Sequence, residues 1–515
     1  MSRSGHRAGG HWGSAGVFVV PYLILMLSWA FSNPPGAAPD EPDHLVKAIG
    51  MSSFDIGSKY TGAAVGNGGI GQQRNASISR VITVPGNLAP VGYTCYAFRT
   101  DTSAACLSKT TTSTTSRDVV DPLGSYPAFL YVPMGWVTAL ASTPTQAFLL
   151  VRLFCALVCS LLLLLGAAHL VRGLGRRALL GAFVGLTPMV VFSSSVVTTS
   201  GFEICAAFAV ACVVVVGLRR PETLAESGTQ LLLAGAGGTL ILSRQLGAVT
   251  FALLMLLLLV RVGPAFFLRL LRAHRPALVS AVGILALCGV AVLVWERAYD
   301  HPSMVGSALS GPALGSFALK SYSVLESGVA QFGWLDTAVP PWVLALWIML
   351  GVLLIGAAAL LAPRSDRLTM LVWFLLLLLI AYFTYATVFF TVDAGLQGRH
   401  LLAFFQLIPL LAGVVLVERL DQLDSAVTAR FFTLVAVVMP VVQVISLYVN
   451  ARRYAVGSAG PVWFLPAAAW EPPLGWWPWL LLGLIGAVWL GRNIIMFGSM
   501  DATKSKEKEM ADVER

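Results

Sequence analysis

The chain has 515 residues, of which 57% are hydrophobic and only 11% charged, and its mean hydropathy is +0.78. Soluble domains carry about 45–50% apolar and about 25% charged residues, so this composition excludes an ordinary water-soluble fold. The net charge of +9 does not indicate a nucleic-acid binder, because the basic residues stand in short clusters between apolar runs and no basic stripe interleaved with aromatics is present.

Arg3 and Arg7 precede a first apolar run from Val17 to Ser32. The run is long for a signal peptide, and Pro34-Pro35 follows without a small-x-small cleavage site, so it reads as a retained span. Residues 1–16 are then a cytoplasmic N-terminus, and 33–146 a large first outer loop. Gly, Ser and Thr dominate that loop, which is expected to carry short juxtamembrane helices. One of them starts at Pro42, with Asp40 or Glu41 as cap and Leu45, Val46 and Ile49 on one face. The stretch Tyr126–Leu140 is apolar but holds Pro127, Pro133 and Gly135. Reading it as an interfacial helix keeps Arg172, Arg176 and Arg177 on the inner side.

The remaining runs alternate across the membrane: Ala147–Val171, Ala178–Val196, Gly201–Leu218, Gln230–Ser243, Gly247–Val260 and Pro276–Trp295. A second outer loop covers 296–339. Pro340–Ala362, Thr369–Val392, Leu401–Val417 and Phe431–Val449 follow, then a third outer loop at 450–475 and a last span, Trp476–Phe497. The membrane domain thus covers 17–498, and a charged cytoplasmic tail with Lys504, Lys506 and Lys508 covers 499–515. The expectation is an all-α polytopic protein of about 12 spans with both termini cytoplasmic.

Five cysteines lie within apolar runs and read as small core residues; Cys95 and Cys106 lie in the first outer loop, where a disulfide between them is expected. Gly66–Gly71 mimics a dinucleotide loop, but no strong strand precedes it and no helix follows. Asn75-Ala76-Ser77 fits a glycosylation acceptor, which matters only in a eukaryotic secretory route.

Ionisable residues in so apolar a chain are expensive, and they gather on one side. Asp40, Glu41, Asp43 and His44 follow the first span; Glu203, Arg244, Asp336, Arg399 and His400 lie at outer helix ends. Asp40 and Glu41 are candidates for a general base, or else helix caps. With His44, one turn on, they could hold a divalent metal ion. Arg244 in Ser243-Arg244-Gln245 and Arg399 in Gln397-Gly398-Arg399-His400 are candidates for gripping a phosphate, or else interfacial anchors. Trp334, beside Asp336, could stack on a sugar or sit in the headgroup belt.

Taken together, PDEPDH after the first span, TPM…SSS…TTSGFE, LSRQLG, QFGWLDTAVPP and GLQGRH resemble a bacterial domain-of-unknown-function family of polytopic membrane proteins grouped with the GT-C glycosyltransferases. The resemblance runs from about Pro35 to Leu411. It departs at His400, where Tyr is expected, and at Tyr126-Pro127, which lacks a second Pro. It implies a GT-C-like fold in the plasma membrane and a catalytic acid in the first outer loop, matched by Asp40 or Glu41. It further implies a polyprenyl-phosphate sugar as donor and a cell-envelope glycan or lipid as acceptor. Gln245, Gln397 and the outer residues above would then line the substrate. A transporter or flippase, and a non-catalytic assembly subunit, are the other classes the pattern admits.

Overall fold

The computed structural model describes residues 10–60, 78–109, 114–273, 276–299, 311–390, 395–423 and 425–499. Arg3, Arg7, the Gly66–Gly71 loop, Asn75-Ala76-Ser77 and the tail lysines lie outside the described residues.

The fold is an all-α bundle with a small, mostly irregular loop domain at one end. Nine helices are long and apolar enough to cross a membrane, and two bent pairs raise the number to as many as 11, among the described residues. Gln230–Ser243 lies in a helix, Ser227–Ser243, of only 17 residues that stops at the break before Arg244. That length rises about 25 Å, short of a hydrocarbon core of about 30 Å. The segment around Tyr126–Leu140 holds one helix, Tyr131–Thr138, of eight residues, far too short to cross; it packs on the helix Glu41–Met51, which we call the rim helix.

Ser200–Arg219 is the central pillar, buried along nearly its whole length. Ala206, Ala207, Ala209 and Ala211, spread around it, let neighbours approach closely on several sides, as small residues do where lipid supplies no hydrophobic drive between helices. Pro144–Leu174, Ser227–Ser243 and Gln245–Val262 pack against it.

The run Ala178–Val196 is not one span. Its two helical parts, Arg176–Gly185 and Pro188–Ser194, meet at 84°. Pro188 removes a helical N–H and pushes Thr187 into extended backbone, with φ −62° and ψ 164°. The break frees carbonyls inside an apolar bundle, where unpaired groups are costly. Side chains from three neighbouring segments cover them. Trp347 donates to the Val184 carbonyl (3.1 Å), Gln406 to Gly185 (3.4 Å) and Gln443 to Leu186 (3.2 Å). The bend is therefore a built feature, and it turns the segment Ser195–Thr199 towards the loop domain's rim helix.

The loop domain contains strands where sequence reading expected short helices. Ser58–Lys59, Arg80–Val84 and Arg117–Asp121 form an antiparallel sheet, with Val81 opposite Val120. Arg-Val-Ile-Thr-Val is rich in β-branched residues, which suit a half-buried sheet. A Cys95–Cys106 disulfide closes the next loop, with Cα atoms 6.1 Å apart. Lys47 of the rim helix donates to the Leu123 carbonyl (2.6 Å), joining sheet and bundle.

Candidate functional site at the loop end of the bundle

The rim helix separates two adjacent carboxylates that sequence reading left equivalent. Glu41 is fully buried. Its Oε1 accepts from Arg152 Nε (2.8 Å) and the Val197 amide (2.9 Å), and its Oε2 from Arg152 Nη2 (2.8 Å) and the Ala38 amide (3.3 Å). The other Arg152 donors go to the carbonyls of Ala30 (3.0 Å), Asn33 (2.7 Å) and Pro34 (2.7 Å). All five guanidinium N–H groups thus have an acceptor. Glu41 is an anchor, locking the first span, the rim helix and the broken segment onto Pro144–Leu174.

Asp40 is the opposite case. It sits at the N-cap with φ 61°, and its side chain caps nothing. A non-glycine residue in the left-handed region costs on the order of 1 kcal/mol. The carboxylate is 42% exposed and lies 4.0 Å from Arg399 Nη2.

Two guanidiniums face it. Arg399 follows Gly398 on a 3-10 turn whose amide bonds Ser327 Oγ at 2.8 Å. A Cβ at Gly398 would collide with the Val324 and Gly328 backbone, so only glycine brings the turn this close. Arg399 is 4% exposed, and its buried Nε has no partner among the described residues. Arg244 interrupts two helices in extended backbone, φ −160° and ψ 170°. Its Nε donates to Thr199 Oγ1 (3.2 Å), and its guanidinium lies over the Tyr126 ring, 4.9 Å from the centroid. Asp40 is an electrostatic neighbour of both arginines, and Glu203 of Arg244. Glu203 is buried, and its Oε1 is unpartnered among the described residues. Asp40, Arg244, Arg399 and Glu203 thus gather in one region.

His44 lies beside them but is occupied. Nδ1 is 2.6 Å from the Tyr131 hydroxyl and Nε2 is 3.3 Å from Thr198 Oγ1. Burial lowers its pKa well below the ordinary value, and Arg244, Arg399 and Lys47 push the same way, so it is neutral. The expected metal set of Asp40, Glu41 and His44 is therefore corrected. Glu41 is saturated by Arg152, both His44 nitrogens are engaged, and no three His, Cys, Asp or Glu side chains form a metal-binding group among the described residues.

Other expected residues stand apart. Trp334 Nε1 donates to the Gly36 carbonyl (3.0 Å), and Asp336 pairs with buried Arg453 at 3.0 Å. Arg453 also donates to the carbonyls of Thr102 (2.6 Å), Tyr96 (2.9 Å) and Arg99 (3.0 Å), so Asp336 belongs to a staple holding the loop domain. Gln245 is exposed beside Arg244. Gln397 has a buried, unpartnered Oε1 among the described residues, and His400 stacks on Phe389 with centroids 6.0 Å apart.

Sequence reasoning passed over Arg152, although a lone cation inside a long apolar run is the signal that marks such a residue. It also assigned no role to Thr199 and read Tyr126 as an interface aromatic. Asp43 and Asp121 form a further acidic pair near Asp40. Burial, reinforced by Asp121 and Asp40, raises Asp43 to about 8. Burial raises Asp121 to about 6, against the pull of Lys47, and lowers Lys47 to about 8.

The Asp43 shift has a sign that can be tested. Its folded pKa lies above the unfolded 3.8, so its contribution is fully present below about pH 4 and is lost as pH rises through about 8. Asp43→Asn should therefore melt higher than wild type by a margin that grows between pH 4 and pH 8, on the order of a few kcal/mol at most. Thermal unfolding in detergent across that range checks it; a constant difference would contradict the burial of an ionising Asp43.

A bundle of hydrophobic spans with a polar, partly buried side-chain cluster at one end defines a multi-pass membrane protein. The chain belongs to the DUF2142 family, described as predicted membrane proteins, which matches residues 23–408. That stretch contains every residue of the site. No curated protein and no solved structure matches the chain.

Proposed function

We propose that the protein is a membrane glycosyltransferase with a GT-C-like architecture, acting on the outer face of the plasma membrane with both termini cytoplasmic. It moves a sugar from a polyprenyl-phosphate donor to a cell-envelope glycan or lipid. The observation that carries the reading is the half-exposed Asp40 carboxylate facing Arg399 at 4.0 Å, with Arg244 as a second cation.

Such a site suits displacement at an anomeric carbon. No nucleotide sugar is at hand outside the membrane, so the activated sugar arrives on a lipid. Asp40 takes the acceptor hydroxyl proton as the new C–O bond forms. The bond from the anomeric carbon to the phosphate oxygen breaks, and polyprenyl phosphate leaves with one more negative charge. Arg399, whose buried Nε has no partner among the described residues, and Arg244, fixed by Thr199 and Tyr126, stabilise that charge. Among the described residues no three His, Cys, Asp or Glu side chains are placed to hold a metal ion.

The test is transfer in proteoliposomes from polyprenyl-phosphate sugars labelled in the sugar. Wild type should release polyprenyl phosphate in step with labelled product. Arg399→Lys and Arg244→Lys keep the charge but lose the planar fork, and each should lower kcat/KM by roughly tenfold or more. The 84° broken pair favours a second reading, a flippase or transporter, since broken helices recur in transporters. Movement of intact donor across the bilayer without release of polyprenyl phosphate would select it.

A further inference from the structure

A cavity that Asp40 does not line opens at the loop end, with a volume of about 560 Å³. That size is typical of small-molecule sites. Its wall combines the disulfide loop, the start of Pro144–Leu174 and the turn before the last span. Tyr93 and Trp470 supply aromatic surface, Ser108 and Thr145 supply hydroxyls, and Glu471 a carboxylate. Trp470 is held by an edge-on contact with Trp476, centroids 5.5 Å apart, and its amide bonds the Ala455 carbonyl at 3.3 Å. The Tyr93 ring is fixed against Phe148, centroids 5.6 Å apart.

The wall also contains Asn33, which is 2% exposed. Its amide pairs with that of Asn450, Oδ1 accepting from Asn450 Nδ2 at 2.6 Å. The remaining group, Nδ2, is buried and has no partner among the described residues. A buried donor without an acceptor is rare in folded proteins. An aromatic surface, two separate hydroxyls and a carboxylate match a polyol with one apolar ring face. A carboxylate on the rim disfavours an anion.

We infer that this cavity binds a neutral saccharide, and that in the proposed reaction it holds the acceptor glycan. The second clause rests on the glycosyltransferase reading; the first does not. Pro35, on the cavity wall, is five residues from Asp40, which limits their Cα separation to about 18 Å. An oligosaccharide seated against Trp470 can therefore extend towards the Asp40 carboxylate.

The test uses full-length protein in detergent with four neutral probes, the tetrasaccharides of glucose, mannose, galactose and arabinose, followed by titration calorimetry. At least one probe should bind saturably, and Trp470→Ala should weaken it by about tenfold. Ser108→Trp, an exposed change that fills the cavity without touching the core, should weaken it as much if Trp470→Ala misfolds. The inference is overturned if no probe binds, or if both folded variants bind as wild type. Binding without any sugar transfer would overturn the proposed reaction and the acceptor role but keep the saccharide site. Transfer whose acceptor KM is unmoved by Ser108→Trp would overturn the cavity's role and keep the reaction.

Discussion

Asp40→Asn should abolish most sugar transfer while leaving the protein folded and inserted. Removing a general base costs roughly 10²–10⁴-fold in rate, and Asn keeps the size of Asp without its proton affinity. The backbone argues that the fold survives. Asp40 has φ 61°, a region that Asn and Gly also occupy, and its side chain makes no cap. Asp40→Gly should therefore be equally inactive and at least as stable. Both variants should melt within a few degrees of wild type. Wild-type kcat in either one would remove Asp40 from the chemistry.

Glu41→Gln should do the reverse and damage the fold first. The replaced carboxylate is the counter-charge of a guanidinium that is also fully buried. Breaking one partner of such a pair costs about 3–5 kcal/mol, a large part of a typical net stability of 5–15 kcal/mol. An apolar double replacement often rescues a buried pair, but here it should not. The pair also satisfies the carbonyls of Ala30, Asn33 and Pro34 and the amides of Ala38 and Val197. Replacing both residues would strand four of these groups, since the Pro34 carbonyl keeps the Ala37 amide. Glu41→Gln, and Glu41→Leu with Arg152→Met, should both show lowered yields of monodisperse protein and strongly lowered melting points. A Glu41→Gln protein that melts like wild type would mean that the anchor does not hold the four segments together.

The contrast between the two neighbours shows what sequence can and cannot carry. That Asp40 and Glu41 both mattered was legible, because carboxylates are rare in this chain and cluster after the first span. Which of them faces solvent was not, because it depends on the left-handed turn at Asp40 and on Arg152, more than a hundred residues away. Arg244 and Arg399 were legible as cations stranded at breaks in apolar runs. Trp334 and Asp336 looked like the same kind of signal, yet their partners, Gly36 and Arg453, are distant in sequence and make them structural.

The helices were largely legible from run length, with one instructive exception. Ala178–Val196 had the composition of a span, but Thr187-Pro188 sits in its middle, and the carbonyls it frees are covered by Trp347, Gln406 and Gln443. No local pattern announces those three donors. The strands of the loop domain were missed because five-residue runs such as Arg80–Val84 are bounded by polar segments too irregular for periodicity to stand out.

The central claim is that two arginines serve one phosphate beside Asp40. A double-mutant cycle on the dissociation constant of polyprenyl phosphate, using Arg244→Gln, Arg399→Gln and the pair, tests it most directly. Residues that share a partner couple by about 0.5–3 kcal/mol, whereas independent sites add. The expected result is a loss of affinity in each single variant and a combined loss that departs from their sum by a coupling in that range. Unchanged affinity in both single variants, or losses that add without remainder, would contradict a shared site.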